Sequence, residues 1–374
     1  MTTLFILACV FILYTYALFP LLLHWKARKM PELEAVEPKT WPTVSIVIAA
    51  HNEARNLPQK FASLEALDYP KNLVEWVFVS DGSTDGTDQV LQATFFDRPN
   101  CKYTHLANSI GKCGALNHGV DLASGDIIVF MDARQKVSSN ALKKLVPHLL
   151  NPYVGAASGE LVLAEDSSLE AGNFGLYWRY EKWIRENESR LFSTTGVTGA
   201  LYAIRRSDFQ HNALGTLLDD FDTPIKMLKQ GKRTLFIPGA YAFDKAADDI
   251  KQEFRRKVRN LAGNWQSFLK HPWLFSRSSN PVWWQFLSHK VFRLFIPYAL
   301  ILAFVSSALG QGPLLKTAFV AQLVFYALAA ASYLGLPGTS NKLLSMIKVF
   351  TQLNAAAFVA TLRYFLSARR ISWR

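Results

Sequence analysis

The stretch Val77 to Thr87, VFVSDGSTDGT, carries two carboxylates, Asp81 and Asp85, directly after an apolar run. Apolar and β-branched residues that stop at Asp, Ser, Thr and Gly read as a buried strand ending in a turn. Both acids therefore fall at a strand's carboxyl end, and in open α/β sheets ligands bind in the crevice outside those ends. Asp81 can accept hydrogen bonds from a ligand's N–H or hydroxyl groups, and a charged acceptor makes the stronger bond. Asp85, ahead of a helical pattern, suits a turn and a helix cap. Lys112 follows Gly111 at a helix start, where an ammonium and backbone donors suit phosphate oxygens. Leu218-Asp219-Asp220-Phe221-Asp222-Thr223 puts three acids in four residues. A carboxylate there can take the proton of an attacking hydroxyl, whereas Asp219 and Asp222 equally suit a helix N-terminus, whose dipole favours negative charge. The run Phe254-Arg255-Arg256-Lys257-Val258-Arg259-Asn260 is basic. Arginine's fork fits a diphosphate through two parallel hydrogen bonds, and the same run would also suit an anionic lipid surface.

These residues need a sheet to hold them. Val44 to Ala50 is a continuous apolar strand followed by His51, Asn52, Glu53 and a helical pattern to about Leu67. Val74 to Ser80, Lys102 to Leu106 and Ile127 to Met131 read as further strands, separated by helices at Thr84 to Phe96 and Gly111 to Ala123. That alternation argues for βαβ units and a parallel sheet with every functional candidate at a strand end. Beyond Asp132 the pattern loosens into strands at Val154 to Leu163, Leu201 to Ile204 and Arg233 to Phe243 and helices at Ala171 to Arg190 and Leu217 to Lys229. The aromatic stripe of Tyr177, Trp178, Tyr180 and Trp183 fits core or membrane-facing surface better than a binding platform.

The chain's 374 residues include an uncharged run from Leu4 to Leu23, long enough to cross a bilayer. No basic residue precedes it and no small-residue cleavage site follows, so it reads as a retained anchor. Lys26, Arg28 and Lys29 follow it and place what comes next in the cytoplasm by the positive-inside rule. Leu294 to Leu309 and Thr317 to Leu336 are further spans. Leu343 to Leu366 is interrupted by Lys348, Gln352, Asn354 and Arg363, and an odd number of crossings keeps Arg369, Arg370 and Arg374 in the cytoplasm, so it is expected to lie in the membrane plane or to be partly inserted. Residues 1–25 are thus an anchor, 26–43 a tether, 44–247 the cytoplasmic domain, 248–293 interfacial amphipathic helices and 294–374 the C-terminal membrane helices. The net charge of +12 accompanies membrane-flanking segments, which argues for a membrane surface or a pyrophosphate and against nucleic acid. Cys9, Cys101 and Cys113 show neither metal spacing nor a paired framework.

Taken in order, Ala50-His51-Asn52-Glu53, Ser80-Asp81-Gly82-Ser83-Thr84-Asp85, Gly111-Lys112 with Ala115-Leu116-Asn117, and Asp132 resemble the family 2 glycosyltransferases across roughly residues 42 to 265. The resemblance implies a nucleotide-binding α/β fold of glycosyltransferase A type and inverting transfer from a nucleotide-sugar, a UDP-sugar above all. By that likeness Ala50, Glu53 and Asp81 would hold base and ribose, Lys112 would lie near the pyrophosphate or sugar, and Asp220 would be the general base. Thr198 and Gly199 would lie near the acceptor, beside Asp219. Asp132 stands where the family carries the first acid of a metal-binding Asp-x-Asp, with Arg134 in place of the second. A Mg²⁺ or Mn²⁺ ion would then rest on Asp132 with other ligands, or Arg134 would itself neutralise the leaving diphosphate, together with Arg256 and Arg259. Arg259 matches the arginine of a Gln-x-x-Arg-Trp segment whose glutamine and tryptophan positions hold Arg256 and Asn260. The missing tryptophan, a stacking surface for acceptor sugar in processive synthases, counts against polymer synthesis, although Trp265 lies just beyond.

The expectation is a multi-pass enzyme of a cell membrane, of bacterial inner-membrane type, that passes a sugar to a lipid-linked or cell-surface saccharide. A processive synthase of cellulose or hyaluronan type, or a non-catalytic protein that binds a nucleotide or a partner subunit, are the alternatives. The sequence names neither donor sugar nor acceptor nor partner subunit.

Overall fold

In the computed structural model, residues 1–163, 169–244, 250–336 and 341–366 are described. The strands are β1 Val44–Ala50, β2 Val74–Asp81, β3 Cys101–Leu106, β4 Ile127–Met131, β5 Lys136–Val137, β6 Val154–Leu163, β7 Leu201–Arg205 and β8 Arg233–Asp244. They form one sheet in the order β3-β2-β1-β4-β7-β6-β8-β5. Strands β3, β2, β1 and β4 are mutually parallel; β7 is antiparallel to β4 and to β6, β6 is parallel to β8, and β5 antiparallel to β8. The central strands are buried on both faces, which is why they read as unbroken apolar runs rather than alternating ones.

Helices α2 Leu57–Glu65, α3 Thr87–Phe95 and α5 Ala141–Leu149 cover one face, where Phe61, Leu64, Phe95 and Leu145 meet Ile46, Ile48, Phe78 and Val129. Helices α4 Lys112–Leu122 and α7 Asp219–Lys229 cover the other, where Leu116, Val120 and Met227 meet Val47, Val77, Ile128 and Phe130. Alternate strand residues thus feed opposite cores, as the pleat requires. Each such buried aliphatic or aromatic side chain stabilises the domain by about 1.5–3 kcal/mol relative to exposure. Crevice residues therefore rest on a rigid floor. The sequence did not announce β5 or α5, and α3 begins three residues later than its pattern suggests. Gly86, with φ +92°, caps that helix while Thr84 and Asp85 are held in the preceding turn.

Among the described residues four helices are long and apolar enough to cross a membrane: α1 Thr2–Ala27, α9 Trp283–Leu309, α10 Pro313–Tyr333 and, within α11 Lys342–Leu366, Leu343–Leu366. The separate interfacial helix expected up to Arg293 is instead continuous with the span after it. Two long helices connect the sheet to this layer, α6 Leu169–Leu191 and α8 Ile250–Lys270. Tyr180 and Trp183 of α6 pack against Phe19, Leu23 and Ile184, so this part of the aromatic stripe is core. Ala8 packs on Ala299 and Ala303, and the Trp284 indole donates to the Tyr14 hydroxyl at 3.0 Å. In α11, Ala356 and Ala360 are buried against Val258 and Ala262 of α8. Phe358 meets Tyr298, and Phe365 meets Trp265. The second half of α11 thus runs beside α8 and the first turns of the α9 stretch after Arg293. The domain boundary near 247 and the C-terminal Arg369, Arg370 and Arg374 lie outside the described residues.

Candidate active site

The loops after β1 and β2 are bound to each other. Asn52, at φ 59°, accepts the Thr84 amide on Oδ1 at 2.8 Å, and its own amide donates to Ser83 Oγ at 3.2 Å. The Glu53 amide donates to Thr87 Oγ1 at 2.9 Å and the Ala54 amide to Asp85 Oδ2 at 3.1 Å. Asp85 also accepts the Thr87 amide at 3.1 Å, which makes it a turn and helix-start residue that ties two loops. Burial opposes its charge, but these donors hold its carboxyl below the usual range.

Asp81 is wholly buried. Its carboxylate accepts Ser109 Oγ at 2.8 Å, the Ile110 amide at 2.7 Å and the Gly111 amide at 3.0 Å. In this state it anchors the loop that delivers Lys112, and a nucleotide reaching it would exchange its own donors for those amides. The same approach explains Gly82. It has φ +63°, and a Cβ there would lie 2.6 Å from the Ser109 nitrogen. Ala50, expected at the nucleotide's base, ends β1 at the crevice, paired with Ser80, and its side chain is fully buried. Glu53 is partly exposed at the crevice, and burial raises its carboxyl despite a hydrogen bond from Asn56 at 2.5 Å.

Lys112 occupies the middle of the acid cluster. Its Nζ lies 2.8 Å from Asp132 Oδ1 and 3.5 Å from Asp219 Oδ2. Burial works against its charge, but Asp132 and then Asp219 outweigh it and raise its pKa. Asp132 remains about a third exposed. Arg134 turns away to Asp244 at 2.5 Å, an acceptor it shares with Gln135 at 3.0 Å. Beneath this end, the buried Lys60 donates to the Gln135 carbonyl at 2.8 Å. Its burial pushes its pKa down to about 7.

Helix α7 opens with the three acids. Asp219 is buried against Lys112. Asp222 is fully buried and joins α7 to α8, with Lys270 at 2.5 Å, Ser267 at 2.8 Å and His271 at 3.5 Å. Burial would raise its carboxyl, but His271, Lys270 and Ser267 bring it down to about 2. Asp220 alone of the three is partly exposed. Burial first, then the neighbouring Asp219, pushes it up to about 6, against Lys112, Lys290 and Arg185. Gly199 lies directly beside it, a Cβ there falling 3.5 Å from Asp220 Oδ2, and the Val197 amide donates to the Asp220 carbonyl at 2.8 Å. Thr198 is buried; its amide donates to Ser158 Oγ at 2.8 Å and its hydroxyl accepts Arg185 at 3.2 Å.

Arg259 faces this cluster; burial lowers its pKa, as does Arg256, against Asp220, Asp132 and Asp219. Arg256 instead pairs with Glu253 at 2.7 Å on its own helix. Trp265, which sequence left open as an acceptor platform, donates to Thr361 at 3.0 Å and packs on Phe268, Phe295 and Phe365. It therefore belongs to the helix junction. Sequence reading missed Lys290 and Arg185 beside Asp220, and Lys60 below Asp132. Arg185 and Lys290 carry no local motif, and only the period of α2 marks Lys60 as an odd residue on a buried face.

A crevice at the carboxyl ends of parallel strands, floored by loops that close on a buried acid and edged by a lysine and clustered carboxylates, defines a nucleotide-binding α/β domain of glycosyltransferase A type. Over nearly its full length the chain superposes on a mannosyltransferase from Pyrobaculum calidifontis, solved in complex with GDP-Man and Mn²⁺. The TM-score is 0.76 at 23% identity, covering 98% of this chain and 100% of that one. Residues 45–212 match Glycosyl transferase family 2, and the chain carries a family 2 glycosyltransferase domain. An N-acetylglucosaminyltransferase of Rhizobium meliloti is 28% identical over 254 residues, 60% of this chain and 56% of that protein. A beta-monoglucosyldiacylglycerol synthase of Synechocystis is 32% identical over 129 residues, 34% and 27% of the two chains. The chain spans a little over half the length of the first of these relatives.

Proposed function

We propose that the protein is a membrane-bound, inverting hexosyltransferase that moves a sugar from a nucleotide-sugar to a lipid-linked or cell-surface acceptor, in glycolipid or polysaccharide synthesis. The observation that carries this reading is Asp220: partly exposed, raised to about 6, and set between the donor-side Lys112 and Asp132 and the membrane-side Arg185 and Lys290. A carboxylate with a pKa close to working pH is suited to general-base duty. The acceptor hydroxyl attacks the anomeric carbon, its proton passes to Asp220, and the bond to the diphosphate breaks with the electron pair leaving on the nucleotide. Attack from the face opposite the leaving group inverts the anomeric centre. Lys112 and Arg259 are the cations nearest that departing charge, and preorganised cations in a partly desolvated site stabilise it strongly.

A divalent cation fits here in one manner. Among the described residues no group of three or more His, Cys, Asp or Glu side chains is arranged to hold a metal, and Lys112 covers one oxygen of Asp132. Mg²⁺ commonly rests on one or two carboxylates plus substrate phosphates. Asp132 would thus hold a cation brought by the nucleotide, and the cation would supply charge neutralisation for the diphosphate. The donor named for the Pyrobaculum protein is GDP-Man and the transfer named for the Rhizobium relative is of N-acetylglucosamine, so both guanosine and uridine diphosphate sugars enter the test. Single transfer is preferred to processive synthesis, because Asn260 offers no stacking face and Trp265 is committed to α11. The catalytic domain lies on the cytoplasmic face, with α1, α9 and α10 crossing and α11 along the surface. A screen of nucleotide-sugars for diphosphate release, with and without Mn²⁺ or Mg²⁺, tests the reading; no release from any donor would refute it.

A further inference from the structure

The loop Thr194 to Gly199 brings together three side chains from three distant parts of the chain. A methyl group added at Gly196 would lie 3.7 Å from Lys290 Nζ and 3.4 Å from the Asp220 carbonyl oxygen. Thr198 Oγ1 holds Arg185 Nη1 at 3.2 Å, and Gly199 abuts the Asp220 carboxylate. Gly196 and Gly199 are three residues apart, at most about 11 Å even if fully extended. Two cations therefore share one small region with the base.

Among the described residues neither cation forms a direct ion pair, and Asp220 is the carboxylate whose charge both feel. Arg185 bonds only the Thr198 hydroxyl, and Lys290 makes no hydrogen bond or ion pair among the described residues. The other nearby acids are committed elsewhere. Glu188 holds His289 Nδ1 at 2.7 Å, while Glu181 takes His289 Nε2 at 3.1 Å and the Arg293 guanidinium. Arg185 and Lys290 are also mostly shielded from water, and two shielded cations set against the one carboxylate of Asp220 favour a further anion beside them. Lys290 lies at the domain end of α9, which continues as an apolar helix fit to cross the bilayer. An anion held here would lie at the membrane surface, beside the base.

Resting on the glycosyl-transfer reading above, we infer that the acceptor is a phosphate-bearing molecule whose phosphate is held by Lys290 and Arg185 while its hydroxyl meets Asp220. The atoms move as in the proposed step, and the phosphate is bound without being broken or transferred. The source of the phosphate is either a lipid headgroup or a soluble phosphate ester.

The test uses the full-length protein in phosphatidylcholine nanodiscs with a radiolabelled donor sugar. A bacterial total-lipid extract, split by anion exchange into acidic and neutral fractions, and soluble glycerol 3-phosphate are offered as separate acceptors. Label in the acidic lipids is the expected result; label in glycerol 3-phosphate keeps the anion site and assigns it a soluble source. Label in neutral lipids, or none anywhere while donor is still consumed, overturns the inference. Absence of donor consumption would instead refute the glycosyl-transfer reading. In the acidic-lipid arm, Lys290→Met should raise the acceptor KM about tenfold or more, as expected for a lost charge-assisted hydrogen bond, and Lys290→Arg should restore most of it. Equal loss in both variants counts against phosphate binding.

Discussion

Replacing Asp220 with Asn keeps the side chain's size while removing the proton acceptor, and it tests geometry and electrostatics together. Loss of a positioned general base costs about 10²–10⁴-fold in rate, so Asp220→Asn should reduce kcat by at least about a hundredfold while leaving donor KM within a few fold. The wild-type rate should rise with pH up to about 6 and then level off, because the carboxylate form is the active one. The same shift has a stability consequence of opposite sense. Asp220 is raised from 3.8 to about 6 in the folded protein, so the fold binds its proton more tightly than the unfolded chain does. The penalty is absent below about pH 4, develops as pH rises and is complete above about 6. Two units correspond to about 3 kcal/mol, and partial exposure reduces this to about 1–2 kcal/mol. Asp220→Asn should therefore melt higher than wild type near neutral pH and lose that advantage in acid. Diphosphate release and thermal denaturation, each followed across pH, measure the two effects. A wild-type rate that is flat through about pH 6, or an Asn variant with more than about a tenth of the activity, would refute the reasoning.

Asp222→Asn should destabilise the protein by about 2 kcal/mol at neutral pH, because its folded carboxyl is held at about 2. Its folded pKa is depressed, so the contribution is present above about pH 4 and lost as pH falls toward 2; denaturant midpoints at two pH values read it. Gly199→Ala would place its methyl in ordinary van der Waals contact with the Asp220 side chain, 3.4 Å from its Cβ, and should leave kcat within a few fold with little change in donor KM. A loss of kcat beyond about tenfold would show that the base tolerates no movement there. Titration calorimetry with Mn²⁺ should give weak or no binding to the protein alone and clear binding once a nucleoside diphosphate is present, since Asp132 is about a third exposed, has one oxygen on Lys112, and is joined by no other acid or histidine in a three-residue cluster among the described residues. Tight binding without nucleotide would point to ligands other than Asp132.

Much of the donor half was legible in the chain because its signals are local. A buried parallel strand must be apolar throughout, and the turn that ends it needs Asp, Ser, Thr and Gly, so β1, β2 and β4 and their terminal residues announce themselves. The role of a residue within that frame was less legible. Asp81 looked like a ligand contact and is, in this state, the anchor of Ser109 to Gly111; Ala50 ends β1 with its side chain fully buried; Arg134 and Arg256 found acids of their own, Asp244 and Glu253. Burial and partner choice depend on which elements converge, and no sequence window contains both partners.

Sequence alone determined a family 2 domain between apolar segments and an acid triplet able to hold a base. Tertiary structure separated three adjacent acids into three environments: Asp219 on Lys112, Asp222 locked to α8, and Asp220 left partly open with its pKa raised. A helix turn of 100° per residue sends consecutive side chains in different directions, and what each one meets is set by packing. The acceptor side was beyond reach of any motif. Arg185, Lys290 and Asp220 meet because α6, α9 and α7 close around one loop, Thr194 to Gly199.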